Sequence, residues 1–141
     1  MSDILNITYK SNDQKNSIPE KYWKWRCVVG HFILSNRCRF RLCTDIGNKR
    51  ISTVGACYRY DHSKKMEIIG PYRHYETMVF KLREDGEIGD YNEIDIDGIE
   101  LFKNESPYNA DKRAEKMHMW MCYKWSGIDN ADQLKGEGGE G

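Results

Sequence analysis

The strand-turn-strand pattern between residues 37 and 60 constrains the fold of this chain more than any other segment. RCRFRLCT alternates arginine with apolar residues, and neighbouring residues of a strand point to opposite faces. DIGNKR supplies a turn, and RISTVGACYRY follows as a return strand. These residues predict an antiparallel hairpin with arginines along one face.

Further segments on both sides resemble strands. Residues 1–16 indicate a short strand plus a loop, and HFILSN leads into the hairpin. MEIIG and HYETMVFKL are two more candidates, broken by Gly70-Pro71, and YNEIDIDGIELF alternates weakly around a second turn at Asp97-Gly98.

The clearest helix begins at Ser106-Pro107, because serine caps a helix and proline suits its first position. A single apolar stripe predicts that residues 106–126 are helical and face a core, and Gly127 is the expected C-terminal glycine. The stripe consists of Ala110, Ala114, Met117, Met121 and Trp125. Ser17 to Glu20 fits a capping box, so we predict a helix over 18–28, although YWKWRCVV fits a strand equally well.

Together these elements predict an α+β fold: an antiparallel sheet of about five or six strands with a C-terminal helix, and an N-terminal helix as a further element, packed on it. We expect one domain over residues 1–135 and a flexible, acidic, glycine-rich tail over 136–141. A chain of 141 residues can bury a core without a disulfide or a metal. The five cysteines and the absence of a secretory pattern predict reduced thiols, no disulfide and no membrane segment.

The charge is distributed unevenly along the chain. Residues 1–83 hold 16 Lys and Arg against 7 Asp and Glu, whereas residues 84–141 hold 6 against 15. A basic surface for an anionic partner is one interpretation. The other is that the two halves neutralise each other, within the fold or across a self-association contact.

Arg37, Arg39 and Arg41 form the most specific chemical signal, because guanidinium groups on one strand face can grip phosphates in a bidentate way. Lys24, Arg26 and Arg59 are further cations near this stripe, and Tyr58, Tyr60, Tyr72 and Tyr75 are candidate stacking surfaces. The alternative is the solvated outer face of an amphipathic strand.

Metal and catalytic motifs are weak. Cysteines and histidines occur at Cys38-x4-Cys43, Cys27-x3-His31 and His62, but no paired C-x2-C spacing appears, so we expect no metal and no cofactor. Asp61, His62 and Glu76 are the candidate acid-base residues of a small metal-binding or hydrolytic domain. His118 is expected to pack in the core.

The segment from Ile51 to Trp125 resembles a family of small bacteriophage proteins. The residues that carry the resemblance are ISTV, Asp61-His62, YETMVF over 75–80 and the helix AEKMHMWMCYKW. The chain departs from the pattern at Gly55-Ala56-Cys57, where larger apolar residues are expected. The resemblance implies expression in the cytoplasm of a host bacterium, and phage proteins of this size include anti-Thoeris sponges that trap nucleotide immune signals.

We therefore expect a non-enzymatic anti-defence protein that sequesters an anionic nucleotide-type signal, acting as a homo-oligomer. The alternatives are a protein–protein inhibitor of a host defence enzyme and the small metal-binding or hydrolytic domain. The candidate ligand-binding residues are Arg37, Arg39, Arg41, Arg73, Phe80, Arg113 and Lys116.

Overall fold

A computed structural model describes residues 18–26, 38–57 and 66–139, with the backbone alone over 128–139. Five strands form one antiparallel sheet in the order β1-β2-β3-β4-β5, and one long helix packs on it. The predicted α+β class is therefore confirmed. The elements are a 3₁₀ turn at Glu20–Tyr22, β1 Lys24–Trp25, β2 Cys38–Ile46, β3 Lys49–Cys57, β4 Tyr75–Lys81, β5 Asp95–Ile99 and helix α1 Pro107–Gly139.

The predicted hairpin is formed by β2 and β3. Their register pairs Ile46 with Lys49 and Thr44 with Ile51. Gly47 lies in the turn with a φ of 59°, a left-handed conformation that glycine adopts without a steric cost. The hairpin places alternate β2 residues on the face that α1 covers.

Where β3 meets β4, a ring packs directly on the backbone of Gly55. The Tyr75 ring lies on Gly55, and a Cβ added there would be 2.3 Å from the ring carbon Cδ2. Ala56 has a φ of 56°, which is uncommon for a residue with a side chain. A larger residue at position 55 would displace the Tyr75 ring.

Helix α1 begins as predicted. Ser106 Oγ accepts a hydrogen bond from the Asn109 N–H at 3.1 Å, and Pro107 is the first helical residue. The predicted stripe faces the sheet: four of its five residues are buried, and Trp125 packs at the edge of a core cluster. The core lies between α1 and the sheet.

Three local predictions are wrong. Residues 18–26 form the 3₁₀ turn and β1 instead of a helix, because Trp25 pairs with Thr44 and the Trp23 side chain is buried. Gly127 does not end α1, which continues to Gly139. β5 runs straight through Asp97-Gly98, because the missing Gly98 side chain makes room for Arg73, whose Cδ would be 2.3 Å from an added Cβ.

The predicted strand MEIIG is also wrong, since this segment makes only isolated bridges, such as the one between Gly70 and Arg73. The expectation of reduced cysteines fails at one pair: Cys38 and Cys57, opposite each other on β2 and β3, form a disulfide. Cys43 and Cys122 are free and buried. The strands predicted over 1–16 and in HFILSN lie outside the described residues, and the division at residue 135 stays a prediction.

Within the described part of the chain, no helix combines the length and apolar character needed to cross a membrane.

Candidate functional site

The arginine stripe is exposed on β2, as predicted. Arg39 and Arg41 are both exposed, and Arg37 lies outside the described residues. The Arg39 guanidinium donates to both carboxylate oxygens of Asp111 on α1, at 2.7 and 2.8 Å. The Tyr75 hydroxyl donates to the same carboxylate at 2.6 Å. Asp111 therefore joins β2 and β4 to the helix, which gives Arg39 a structural role.

Two of the other predicted residues lie further along α1. The Arg113 guanidinium donates to both carboxylate oxygens of Glu105 and stacks 3.8 Å from the centre of the Phe102 ring. Arg113 is the main reason that the pKa of Glu105 falls to about 2. Lys116 is partly buried on the same helix. The structure thus brings Arg39, Arg113 and Lys116 to the first half of α1.

The remaining two predicted residues lie elsewhere. Arg73 donates to Glu76 at 2.7 Å, and Glu76 is buried enough that its pKa is raised despite this pairing. Phe80 is only 2% exposed, so the prediction that its ring binds a ligand is wrong. The predicted residues that the structure describes therefore lie in separate places, and three of the arginines, Arg39, Arg73 and Arg113, bind carboxylates of the same chain.

Most of the described ion pairs form within one half of the chain, so they leave the charge asymmetry between the halves in place. Arg39–Asp111 is the one long-range ion pair described between them, and Arg83–Asp85 joins near neighbours at the boundary. The other described pairs connect residues within the same half, as Arg50–Asp45 does. The basic half therefore keeps cations that the acidic half does not neutralise through these contacts.

The strings that carry the bacteriophage resemblance meet in the core. Thr44 Oγ1 lies 2.8 Å from His118 Nε2, and Thr53 Oγ1 lies 2.7 Å from His118 Nδ1 and 2.6 Å from Thr77 Oγ1. Thr53 comes from ISTV, Thr77 from YETMVF and His118 from the helix string. We call these four residues the helix-face network.

The helix-face network has the properties of a structural cluster. His118 is fully buried, and burial lowers its pKa to about 3, so the ring is neutral. Burial also raises the pKa of Cys122, and it raises that of Cys43 to about 11. Because the His118 ring is fully buried, a ligand at the surface of the protein does not contact it. The expectation that His118 packs in the core is confirmed, whereas Asp61 and His62 lie outside the described residues.

A cleft of about 340 Å³ opens where β1, the β2–β3 turn and the end of β4 meet. Its inner wall contains Asp45, which accepts hydrogen bonds from Arg50 Nε at 2.7 Å and from an Arg26 terminal nitrogen at 3.3 Å. We call these three residues the far-face ion cluster. The residues that line this turn cleft are Tyr22, Lys24, Asp45, Gly47, Asn48, Leu82, Arg83, Glu84 and Gly86.

Two exposed side chains of the turn cleft come from the short segment before β2. The Tyr22 ring is 61% exposed, and the Lys21 ammonium lies 5.3 Å from its centre. Lys24 is exposed, and its ammonium group makes no hydrogen bond or ion pair in the described structure. The sequence pattern identifies Lys24 and Arg26 as cations near the stripe, but no local pattern predicts the cleft that forms beside them.

Comparisons with known proteins do not assign the chain to a family. No family model matches the chain, and no solved structure matches it. The chain is similar to the competence protein ComGA of Streptococcus pneumoniae (strain ATCC BAA-255 / R6), with 35% identity over 90 residues. The match covers 60% of this chain and 27% of ComGA, so the chain spans about a quarter of that relative.

Proposed function

We propose that the protein is a non-enzymatic binding protein that sequesters a small anionic ligand of the nucleotide type in the turn cleft. The observation that carries the proposal is a pair of exposed side chains that line the cleft. They are Tyr22, an aromatic ring, and Lys24, a cation that has no partner among the described residues. The arginine stripe is the rival location for the same ligand.

The size of the turn cleft supports a small ligand. Its volume of about 340 Å³ lies at the lower end of the range of roughly 300–1,000 Å³ for small-molecule sites. A cleft of this size suits a mononucleotide or one half of a larger nucleotide, whose other half would extend into solvent.

The charge of the inner wall supports an anion. Asp45 carries one negative charge, and it is bound by two guanidinium groups, so the far-face ion cluster keeps a net charge of +1. Lys24 adds a second positive charge. Glu84 at the rim opposes them, but it is exposed and therefore screened by solvent and salt. A phosphate near Lys24, which lines the cleft, would gain charge-assisted hydrogen bonds.

The Tyr22 ring supports the nucleotide type among anions. Bases stack on exposed aromatic rings in proteins that bind single nucleotides or strands, with a gain of about 1–3 kcal/mol per base. A ring beside a cation matches the two chemical parts of a nucleotide, the base and the phosphate.

The residues that line the turn cleft support sequestration rather than catalysis. They include no histidine, cysteine or serine, and of their two carboxylates Asp45 is held by arginines and Glu84 is exposed at the rim. The bacteriophage resemblance supplies the setting that we propose: the cytoplasm of an infected bacterium, where trapping a nucleotide immune signal blunts host defence. A homo-oligomer belongs to the same proposal.

Isothermal titration against cyclic and ADP-ribose-type nucleotides, at low and high salt, tests the proposal. Lys24→Ala should weaken binding about ten- to a hundredfold, because a charge-assisted contact contributes roughly 1.5–3 kcal/mol. Tyr22→Ala should also weaken binding, and high salt should weaken the binding of the unmodified protein.

Matched controls separate the turn cleft from its rival. Lys103→Ala and Tyr108→Ala remove an exposed lysine and an exposed tyrosine outside the cleft, and they should leave affinity unchanged. If Arg39→Ala combined with Arg41→Ala abolishes binding while Lys24→Ala does not, the stripe is the site. If no nucleotide binds at low salt, the proposed function is wrong.

A further inference from the structure

The two edges of the sheet differ in their free hydrogen-bonding groups. On β5, the N–H groups of Ile96 and Gly98 donate to the side chains of Asp95 and Asp97, at 2.9 and 2.8 Å. Those donors therefore do not point at a neighbouring strand. An added strand would need them, so β5 is protected against edge pairing by its own carboxylates.

The β1 edge has no comparable protection in the described structure. Pairing with β2 continues past β1, since the Arg26 N–H donates to the Cys43 carbonyl at 2.9 Å. Both β1 residues are exposed, and the Trp25 side chain is 54% exposed. The Trp25 ring lies beside the His118 ring, with ring centroids 5.8 Å apart, and its exposed part leaves apolar surface at this edge that a bound segment could cover.

The segment around β1 is basic as well as aromatic. Lys21, Lys24 and Arg26 outnumber its one carboxylate, Glu20, which accepts a hydrogen bond from the Tyr123 hydroxyl. The exposed rings of Tyr22 and Trp25 lie among these cations. An occupant of this edge must therefore carry negative charge and apolar side chains.

A second copy of the chain fits this edge poorly. Pairing β1 with β1 would bring the lysines and arginines of two copies together, and like charges on facing strands are destabilising. Pairing β1 with β5 of another copy meets the capped N–H groups of Ile96 and Gly98. Both observations favour a different protein as the occupant.

We infer that the β1 edge binds an acidic, extended segment of another protein, which adds to the sheet as a sixth strand. Main-chain hydrogen bonds supply affinity in this mode, and alternate side chains supply specificity. Acidic side chains of the segment face Lys24 and Lys21, and its apolar side chains cover Trp25. The inference does not rest on the nucleotide proposal, since Trp25 does not line the turn cleft.

Fluorescence anisotropy with labelled synthetic peptides tests the inference. The peptides alternate valine with glutamate, valine with lysine, and valine with glutamate on an N-methylated backbone. We expect the acidic peptide to bind, and we expect its affinity to fall as the salt concentration rises. The basic peptide should not bind. The N-methylated peptide should lose binding because it cannot donate to the Trp25 carbonyl, which points away from β2.

Variants locate the peptide on the protein. Trp25→Ala and Lys24→Glu should each lower the affinity for the acidic peptide about tenfold or more. The control variants Tyr108→Ala and Lys103→Glu should leave this affinity unchanged. Circular dichroism checks that each variant is folded, and nucleotide titration of Trp25→Ala, which should be unchanged, separates this inference from the proposed function. Equal binding of the N-methylated peptide, or no acidic-peptide binding at low salt, overturns the inference. A dimer of this protein that Lys24→Glu dissociates would also overturn the inference, because a second copy of the chain would then occupy the β1 edge.

Discussion

The two faces of the sheet bury polar groups in opposite ways. The helix-face network is neutral, since threonine hydroxyls occupy both ring nitrogens of His118. The far-face ion cluster instead buries Asp45 between two guanidinium groups. These clusters are adjacent in sequence, because Thr44 and Asp45 are neighbours that point to opposite faces. Strand β2 therefore contributes one residue to each cluster: a neutral hydroxyl group on the helix face and a paired carboxylate on the far face.

The difference has a physical consequence for each face. Neutral hydroxyls and an uncharged imidazole need only local partners, so the helix-face network can be sealed completely. A buried ion needs its opposite charge, and the loss of one partner leaves the other uncompensated. We therefore expect the far-face ion cluster to be the more sensitive to a single substitution, and the helix-face network to be the more sensitive to pH.

The largest effect is expected from Asp45→Ala. This change leaves Arg50 buried without its carboxylate, and such losses cost about 3–5 kcal/mol. Chemical denaturation followed by circular dichroism measures the free energy of unfolding. Asp85→Ala is the matched control, because it removes an arginine-bound aspartate from an exposed pair. If both variants unfold at the same denaturant concentration, the far-face ion cluster contributes no more to stability than an exposed ion pair does.

On the helix face, Met121→Ala should cost about 2–5 kcal/mol, as buried large-to-small changes do. Met121 packs in the cluster with Ile51 and Val79. Met117→Ala belongs to the same range, and Met119→Ala, which removes a partly buried methionine, should cost less. A cost below about half a kcal/mol at both Met117 and Met121 would mean that α1 presents another face to the sheet.

Those two methionines also show what the sequence could predict. The spacing of the stripe on α1 is a local pattern that predicts its buried face correctly. The alternation on β2 predicts the exposure of Arg39 and Arg41, but from Cys43 onward both faces of this strand are buried. The hairpin turn was likewise readable from DIGNKR. The failures over the described residues 18–26 and at Asp97-Gly98 have a common cause, because tertiary contacts override local signals for a helix or a turn. These contacts are the burial of Trp23 and the passage of Arg73 over Gly98.

The candidate site was less predictable than the fold. Exposure of Arg39 and Arg41 follows from alternation, but their partners do not, because Asp111 is distant in the sequence. The turn cleft combines residues from three separate segments, and no spacing rule links Tyr22 with Gly86. Side-chain partners across elements are set by the three-dimensional packing, which a single sequence does not encode in its local patterns.

An intermediate effect is expected from pH. In the unfolded chain His118 binds a proton below about pH 6.5, whereas in the fold it does so only near pH 3. The unfolded state therefore gains protons first as pH falls through this window, and stability decreases by up to about 1.4 kcal/mol per pH unit. Denaturation at pH 7, 6 and 5 measures the slope. His118→Gln should reduce it, and an unchanged slope in that variant would assign the acid sensitivity to other groups.

The smallest effect is expected from Arg39→Ala. The Arg39 side chain is 46% exposed, and exposed ion pairs contribute about 0–1 kcal/mol because solvent screens them and ordering long side chains costs entropy. Asp111 would keep the hydrogen bond from the Tyr75 hydroxyl, so no buried charge is left unpaired. We expect a loss of less than about 1 kcal/mol, measured beside Asp45→Ala under the same conditions. A loss above about 2 kcal/mol would mean that this pair clamps α1 to the sheet as firmly as a buried one. Nucleotide titration of the same variant adds a second readout: if the turn cleft is the site, affinity stays unchanged, because Arg39 is not among its lining residues.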